Sequence, residues 1–155
     1  MKDNPNLKLN RYLTIMLGIT FFLSVFVIYQ ANSISKLKNK QRTKFFLEAK
    51  LNRDQSTART LQSLKTLIDD ENVSKECKEI AAAKYINIAS AANNEASIEL
   101  ILKSKGYEDT LSTISDDRVR VVIKHDKKLS NKQLNEIKDI VISVTKIKDI
   151  EVVTK

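Results

Sequence analysis

From residue 12 to residue 29 the chain carries no charge, and Gln30 and Ala31 extend the run. That length matches the ~20 residues a helix needs to cross ~30 Å of hydrocarbon at 1.5 Å per residue. Phe21, Phe22 and Phe26 supply apolar bulk. Tyr12 and Tyr29 stand at the two ends, where amphipathic rings suit the headgroup belts. Arg11 and Lys36 can snorkel outward. The rival reading is a cleaved signal peptide, for which Ala31-Asn32-Ser33 offers a small-x-small site. Signal peptides have apolar regions of about 7–15 residues, so the length of this run favours an uncleaved single-pass signal anchor.

The remainder has to be read against that segment. The net charge of +8 suggests a nucleic-acid binder until it is mapped. Residues 1–44 hold eight Lys/Arg and one acid, whereas residues 45–155 hold 19 basic and 18 acidic residues. The basicity is local, which argues against a dispersed nucleic-acid face. Lys2, Lys8 and Arg11 precede the apolar run; Lys36, Lys38, Lys40, Arg42 and Lys44 follow it. The positive-inside rule on these counts leans towards a cytoplasmic C-terminal region, and the basic residues 36–44 read either as a solvated stalk or as a collar on anionic headgroups.

Beyond the run, residues 35–68 contain no glycine or proline and read as helix, with Leu51, Ala58, Leu61, Leu64 and Ile68 at near-helical spacing. Residues 69–72 break it, and Ser74 caps a second helix whose apolar face is Cys77, Ile80, Ala81, Tyr85, Ile88 and Ala92. Asn93-Asn94 interrupts that helix. A third, from Glu95 to Lys105, carries Ile98, Ile101 and Leu102 and stops at Gly106. The period then changes. Residues 107–114 read as a strand, residues 115–117 as a turn, and residues 118–124 as a second strand. In that strand Val119, Val121 and Ile123 oppose Arg118, Arg120 and Lys124. Ser130 and Gln133 form a capping box ahead of Leu134, Ile137, Val141 and Val144, and residues 150–153 close with a strand.

The expected fold class is therefore α+β: an N-terminal transmembrane helix, a helical stalk, then an α-β-β-α-β unit with three strands and two helices on one face. The domain boundaries expected are a basic tail over 1–11, the anchor over 12–31, a charged stalk over 32–72 and a soluble domain over 73–155. Within that domain a helix over 74–92 packs on a motif over 95–155.

Catalysis has little to work with. His125 is the one histidine and reads as a solvated loop residue; Cys77 is the one cysteine and reads as buried helix packing. No Gly-rich phosphate loop or metal-binding His pair occurs. The Glu95/Glu99 and Asp116/Asp117 pairs read as solvated charge. The expectation is a non-enzymatic protein with no cofactor, metal or small-molecule substrate. A small sheet with unpaired edges suits assembly instead. Arg118, Arg120, Val121 and Lys124 are the candidate interface residues, through strand addition at the hairpin or contact with acidic groups on a neighbour; the other reading of the charged face is solvated protection of the sheet edge. The GXXG loop and strand aromatics of small RNA-binding folds are missing.

The order of blocks adds a resemblance. Residues 45–53, 73–82 and the Ile98-Glu99 to Lys105-Gly106-Tyr107-Glu108-Asp109 stretch, followed by the Val-rich strand, resemble the stage III sporulation protein AH family of endospore-forming Firmicutes. The resemblance implies a ring-building-motif fold, similar to basal-body ring proteins of type III secretion systems and flagella. It also implies a place in the mother-cell membrane around the forespore, with the C-terminal domain in the intermembrane space. The implied partners are the forespore protein called stage II sporulation protein Q, further copies in a ring, and other stage III channel proteins, in support of engulfment. That location opposes the positive-inside count.

Overall fold

The computed structural model describes the backbone of residues 5–126 and 128–155, and side chains from residue 16 onward except at 25, 28, 31–36, 38 and 127. Two compact units are present, Met1–Gln41 and Arg42–Lys155. Helix α1 (Pro5–Asp69) contributes to both. In the first unit Phe21, Phe22, Phe26 and Tyr29 are all exposed, while the Tyr12 side chain lies outside the described residues. Among the described residues no helix is long and apolar enough to cross a membrane.

The second unit begins at Arg42, 31 residues before the soluble domain expected from the sequence. Its part of α1 turns into α2 (Lys75–Ser104) through a break at the expected place. The Asp70 carboxylate accepts the Asn72 amide at 2.9 Å, a local turn that competes with the next helical bond. Ser74 then caps α2 by accepting the Cys77 amide at 3.3 Å. The two helices run antiparallel: Arg53 meets Glu95 and Glu99, and Lys50 meets Glu99. Arg53, Thr57, Leu61, Leu64 and Ile68 are half-buried at the spacing of a helical seam, whereas Leu51 and Ala58 are exposed.

Helix α2 is continuous through Asn93-Asn94, where the sequence reading placed an interruption. An Asn costs only several tenths of a kcal/mol relative to Ala in a helix interior. The neighbouring alanines and the buried series Glu95, Ile98, Glu99 and Leu102 outweigh that cost. The C-terminus of α2 also corrects the next strand. Gly106 adopts φ 94°; its amide donates to the Lys103 carbonyl at 3.0 Å and that of Tyr107 to the Leu102 carbonyl at 3.0 Å. This is a Schellman stop with Tyr107 folded onto Leu102 in the core, so strand β1 begins only at Thr110.

Strands β1 (Thr110–Ser115) and β2 (Arg118–Ile123) pair antiparallel across Asp116-Asp117, and Asp116 takes the left-handed conformation at φ 48°. Helix α3 (Asn131–Thr145) opens on the expected capping box, with the Ser130 amide donating to Gln133 Oε1 at 3.0 Å. It returns the chain so that β3 (Asp149–Thr154) lies parallel to β2, giving the order β1-β2-β3. Val119, Val121 and Ile123 of β2 bury against Ile98 and Leu102 of α2 and Ile137 and Val141 of α3. Both helices therefore cover one face, and the other face is open.

Two apolar residues of α2 separate packing from propensity. Leu102→Ala, at a site with no exposed surface, should lower stability by about 2–5 kcal/mol in urea unfolding. Leu100→Ala, at a side chain 69% exposed, should change it by less than about 0.5 kcal/mol.

Candidate assembly surface

A three-stranded sheet covered on one face leaves two edges and one open face. In this protein they are finished differently. On β1 alternate residues turn their backbone groups away from β2, and Ser112 and Ile114 are two of them. Glu99 Oε1 accepts the Ser112 amide at 2.8 Å, and Glu95 Oε1 accepts the Ile114 amide at 2.7 Å. Arg53 Nη1 donates to the Ser112 carbonyl at 2.6 Å and to Glu99 Oε1 at 2.6 Å, while Lys50 Nζ holds Glu99 Oε2 at 2.8 Å. Side chains of the helical hairpin thus stand where a neighbouring strand would, and the β1 edge is sealed.

The seal is buried. Glu95 and Glu99 expose 6% and 9% of their surface, which corrects the reading of this pair as solvated charge. The signal lay in the spacing: positions 95 and 99 share the helix face of Ile98 and Leu102. Burial pushes the Glu95 carboxyl above its usual range, against the Ile114 amide and the Arg53 charge, which pull it down. Burial likewise works against the Arg53 cation, but hydrogen bonding and attraction to Glu99 more than offset it and raise its pKa.

The candidate interface residues fall on and around the open face. Across it run three rows set by register: Ser115–Arg118–Asp149, Thr113–Arg120–Glu151 and Leu111–Val122–Val153. Arg118 Nε reaches Asp149 at 2.8 Å and Arg120 Nε reaches Glu151 at 2.9 Å, so both arginines meet acids of their own chain. Lys124 is engaged as well. Its Nζ lies 2.8 Å from Asp109 Oδ2 and 2.8 Å from Thr43 Oγ1, and the Thr43 hydroxyl donates to Asp109 at 2.9 Å. Burial would raise the Asp109 carboxyl, but the bonds from Lys124 and Thr43 overcome it and hold the group below its usual range. Val121 is fully buried in the core, and its strand is the central one, paired on both sides. Strand addition at β2, and with it any outward role for Val121, is ruled out by this topology.

The β3 edge is bare. Lys155 donates its amide to the Ile123 carbonyl at 3.0 Å and accepts the His125 amide at 3.4 Å, which fixes the alternation. Asp149, Glu151 and Val153 face β2 with their backbone groups; those of Ile150, Val152 and Thr154 face outward. Among the described residues nothing bonds these outward groups. Cys77 is exposed rather than buried: it lies in the first turn of α2, at the margin of the side that Lys78, Ala81, Ala82 and Tyr85 bury. His125 is half-buried, with its carbonyl accepting from Arg42 Nη2 at 3.2 Å. Among the described residues no group of three or more His, Cys, Asp or Glu could hold a metal ion.

The seal yields a signed pH prediction. Arg53→Ala leaves two buried carboxylates facing each other and should cost on the order of 3 kcal/mol at pH 7. A carboxyl whose folded pKa is raised contributes stability at low pH that is lost as pH rises through that value. Removing Arg53 raises Glu95 further, so the deficit relative to wild type should shrink as pH falls from 7 towards 4.5. Urea unfolding at the two pH values measures it; a pH-independent deficit would contradict the electrostatic account.

Three comparisons bear on this architecture. The family described as SpoIIIAH-like protein matches residues 29–153. Stage III sporulation protein AH of Bacillus subtilis (strain 168) is 22% identical over 107 residues, covering 69% of this chain and 49% of that protein. The chain thus spans about half the length of this curated relative. A chain in the structure of the SpoIIQ-SpoIIIAH pore forming complex superposes with a TM-score of 0.65 at 22% identity, over 72% of this chain and 96% of that one, a likeness of fold. With a family match over four-fifths of its length, this chain belongs to the SpoIIIAH-like protein family.

Proposed function

We propose that this protein is a non-enzymatic, membrane-anchored subunit of the sporulation complex that joins mother cell and forespore. Residues 12–31 cross the mother-cell membrane once, residues 1–11 form a basic tail, residues 32–41 form the basic collar, and the unit from Arg42 onward lies in the intermembrane space. Its α-β-β-α-β portion acts as a ring-building motif that binds a SpoIIQ-like forespore protein, associates with further copies and other stage III channel proteins, and supports engulfment. The observation that carries this reading is the family match from residue 29 to residue 153. The solved complex adds support, since the SpoIIIAH chain there, similar in fold, stands with SpoIIQ. The sealed edge and buried hydrophobic cluster also support a preformed unit that presents surfaces rather than a reaction centre.

One observation favours a second reading. The five basic residues after the apolar run, against three before it, suit a cytoplasmic adaptor whose collar lies on anionic lipid. The chain carries its own reporter for this choice, because its single cysteine, Cys77, is exposed. In intact cells expressing the full chain, a membrane-impermeant thiol reagent should label Cys77, and Cys77→Ser should abolish the signal. Labelling only after lysis would establish the adaptor and overturn the intermembrane location. The partner is checked separately. Detergent-solubilised full chain on beads should retain the SpoIIQ of the solved complex, and no retention above bare beads would overturn that partner.

A further inference from the structure

The two edges of the sheet differ in a way that assigns the docking position. The β1 edge is occupied by Glu95, Glu99 and Arg53, whereas Ile150, Val152 and Thr154 present unbonded amides and carbonyls along β3. Unpaired edges are usually blunted by inward charges, proline, bulges or a covering element. Among the described residues none of these blunts β3: Asp149 and Glu151 point to the open face, and the strand contains no proline. We propose that the outer edge of β3 receives one extended strand of another protein, and that this strand alternates basic and apolar residues in the pattern of β2. The proposal rests on the reading of the protein as an assembly subunit and names the surface used.

The chemistry of the incoming strand follows from the neighbour β3 already has. On the open face β2 offers Arg118 to Asp149, Arg120 to Glu151 and Val122 to Val153. The Asp149 and Glu151 side chains are still 58% and 44% exposed, so a second basic residue can approach each from the outer side. On the covered face Ile150 and Val152 are only partly buried against the core, and apolar side chains beside them would extend it. Backbone bonds would supply affinity, while alternation of charge and apolar bulk would set register.

A second copy does not meet these terms. Its β2 is central and its β1 is sealed, so the strand it can offer is β3. Two β3 strands side by side in parallel register set Asp149 against Asp149 and Glu151 against Glu151, which is repulsive. An antiparallel two-fold pair consumes both edges and closes at two subunits.

The test uses the full chain in detergent and a capped synthetic peptide with the sequence of residues 118–124, at concentrations where it is monomeric. Saturating peptide should slow amide exchange at Ile150, Val152 and Thr154 at least tenfold and leave Ser112 and Ile114 unchanged. Val152→Pro removes an outward donor that bonds nothing within the unit, a position an edge strand tolerates, and should weaken peptide binding at least tenfold without altering the circular dichroism spectrum. Replacing both peptide arginines with glutamate should weaken binding by a similar factor. Equal binding by the proline variant or by the acidic peptide, protection at β1 instead of β3, or no protection anywhere would overturn the proposal. So would a full-chain dimer that the peptide cannot dissociate, because the edge would then belong to a second copy. The SpoIIQ retention assay is independent of this peptide, so failure of the edge and failure of the partner are separately visible.

Discussion

The bidentate reach of Arg53 between Glu99 and the Ser112 carbonyl holds this unit in its form. A half-buried cation satisfies a carboxylate and a strand edge together, and Glu95 and Glu99 complete the bracket by accepting two β1 amides. The main hydrophobic cluster draws on α2, α3, the strands and their connecting residues, so α1 is held by this bracket together with its own buried ring, Phe46. The helical hairpin is therefore joined to the sheet twice, by the apolar contacts of Ile98 and Leu102 from α2 and by the charged bracket that Arg53 completes from α1. Such a joint tolerates little substitution, since each member leaves another buried group unpaired when it is lost.

Much of the sheet half was legible from periodicity and turn chemistry. Alternation in residues 118–124, the Ser130–Gln133 box and the glycine at 106 each dictated a local geometry that tertiary packing did not contest. Parallel pairing of the last strand followed from the crossover helix. The errors have a common cause, which is that neighbours in space overrode local preference. Asn93-Asn94 looked like a break because two weak helix formers stood together, yet burial on either side carried the helix through. Tyr107 looked like strand, but its amide and ring were recruited to close α2. Glu95 and Glu99 looked solvated because no sequence rule places Arg53, so far upstream in another helix, within reach of them. Cys77 looked buried because the helix was assigned its apolar face without knowledge of where α1 would lie.

Asymmetry is the useful outcome of this construction. One edge is occupied from within the chain, the central strand has no free side, and the arginines of the open face are neutralised by acids one strand away. A sheet finished this way cannot be stacked edge to edge into an endless ribbon, a hazard that small exposed sheets otherwise carry. The proposed contacts between copies would then fall to the helix faces and the open face of the sheet, which can close by rotation without consuming backbone groups.

The way α1 is fastened at Arg42 and Thr43 has a mechanical consequence. Arg42 bonds the Asp126 carboxylate and the His125 carbonyl, Thr43 joins the Asp109–Lys124 pair, and Lys155 Nζ sits 3.3 Å over the Phe45 ring. All of these partners lie at one end of the sheet, around the last residues of β2 and β3. These contacts are small and partly hydrated, each of a kind worth about 1 kcal/mol. The buried cluster of Val119, Val121, Ile123, Ile98 and Ile137 lies behind them. If residues 12–31 anchor the chain as proposed, a pull on the helix would strain these polar contacts before it reached the buried ring of Phe46 and the sheet core.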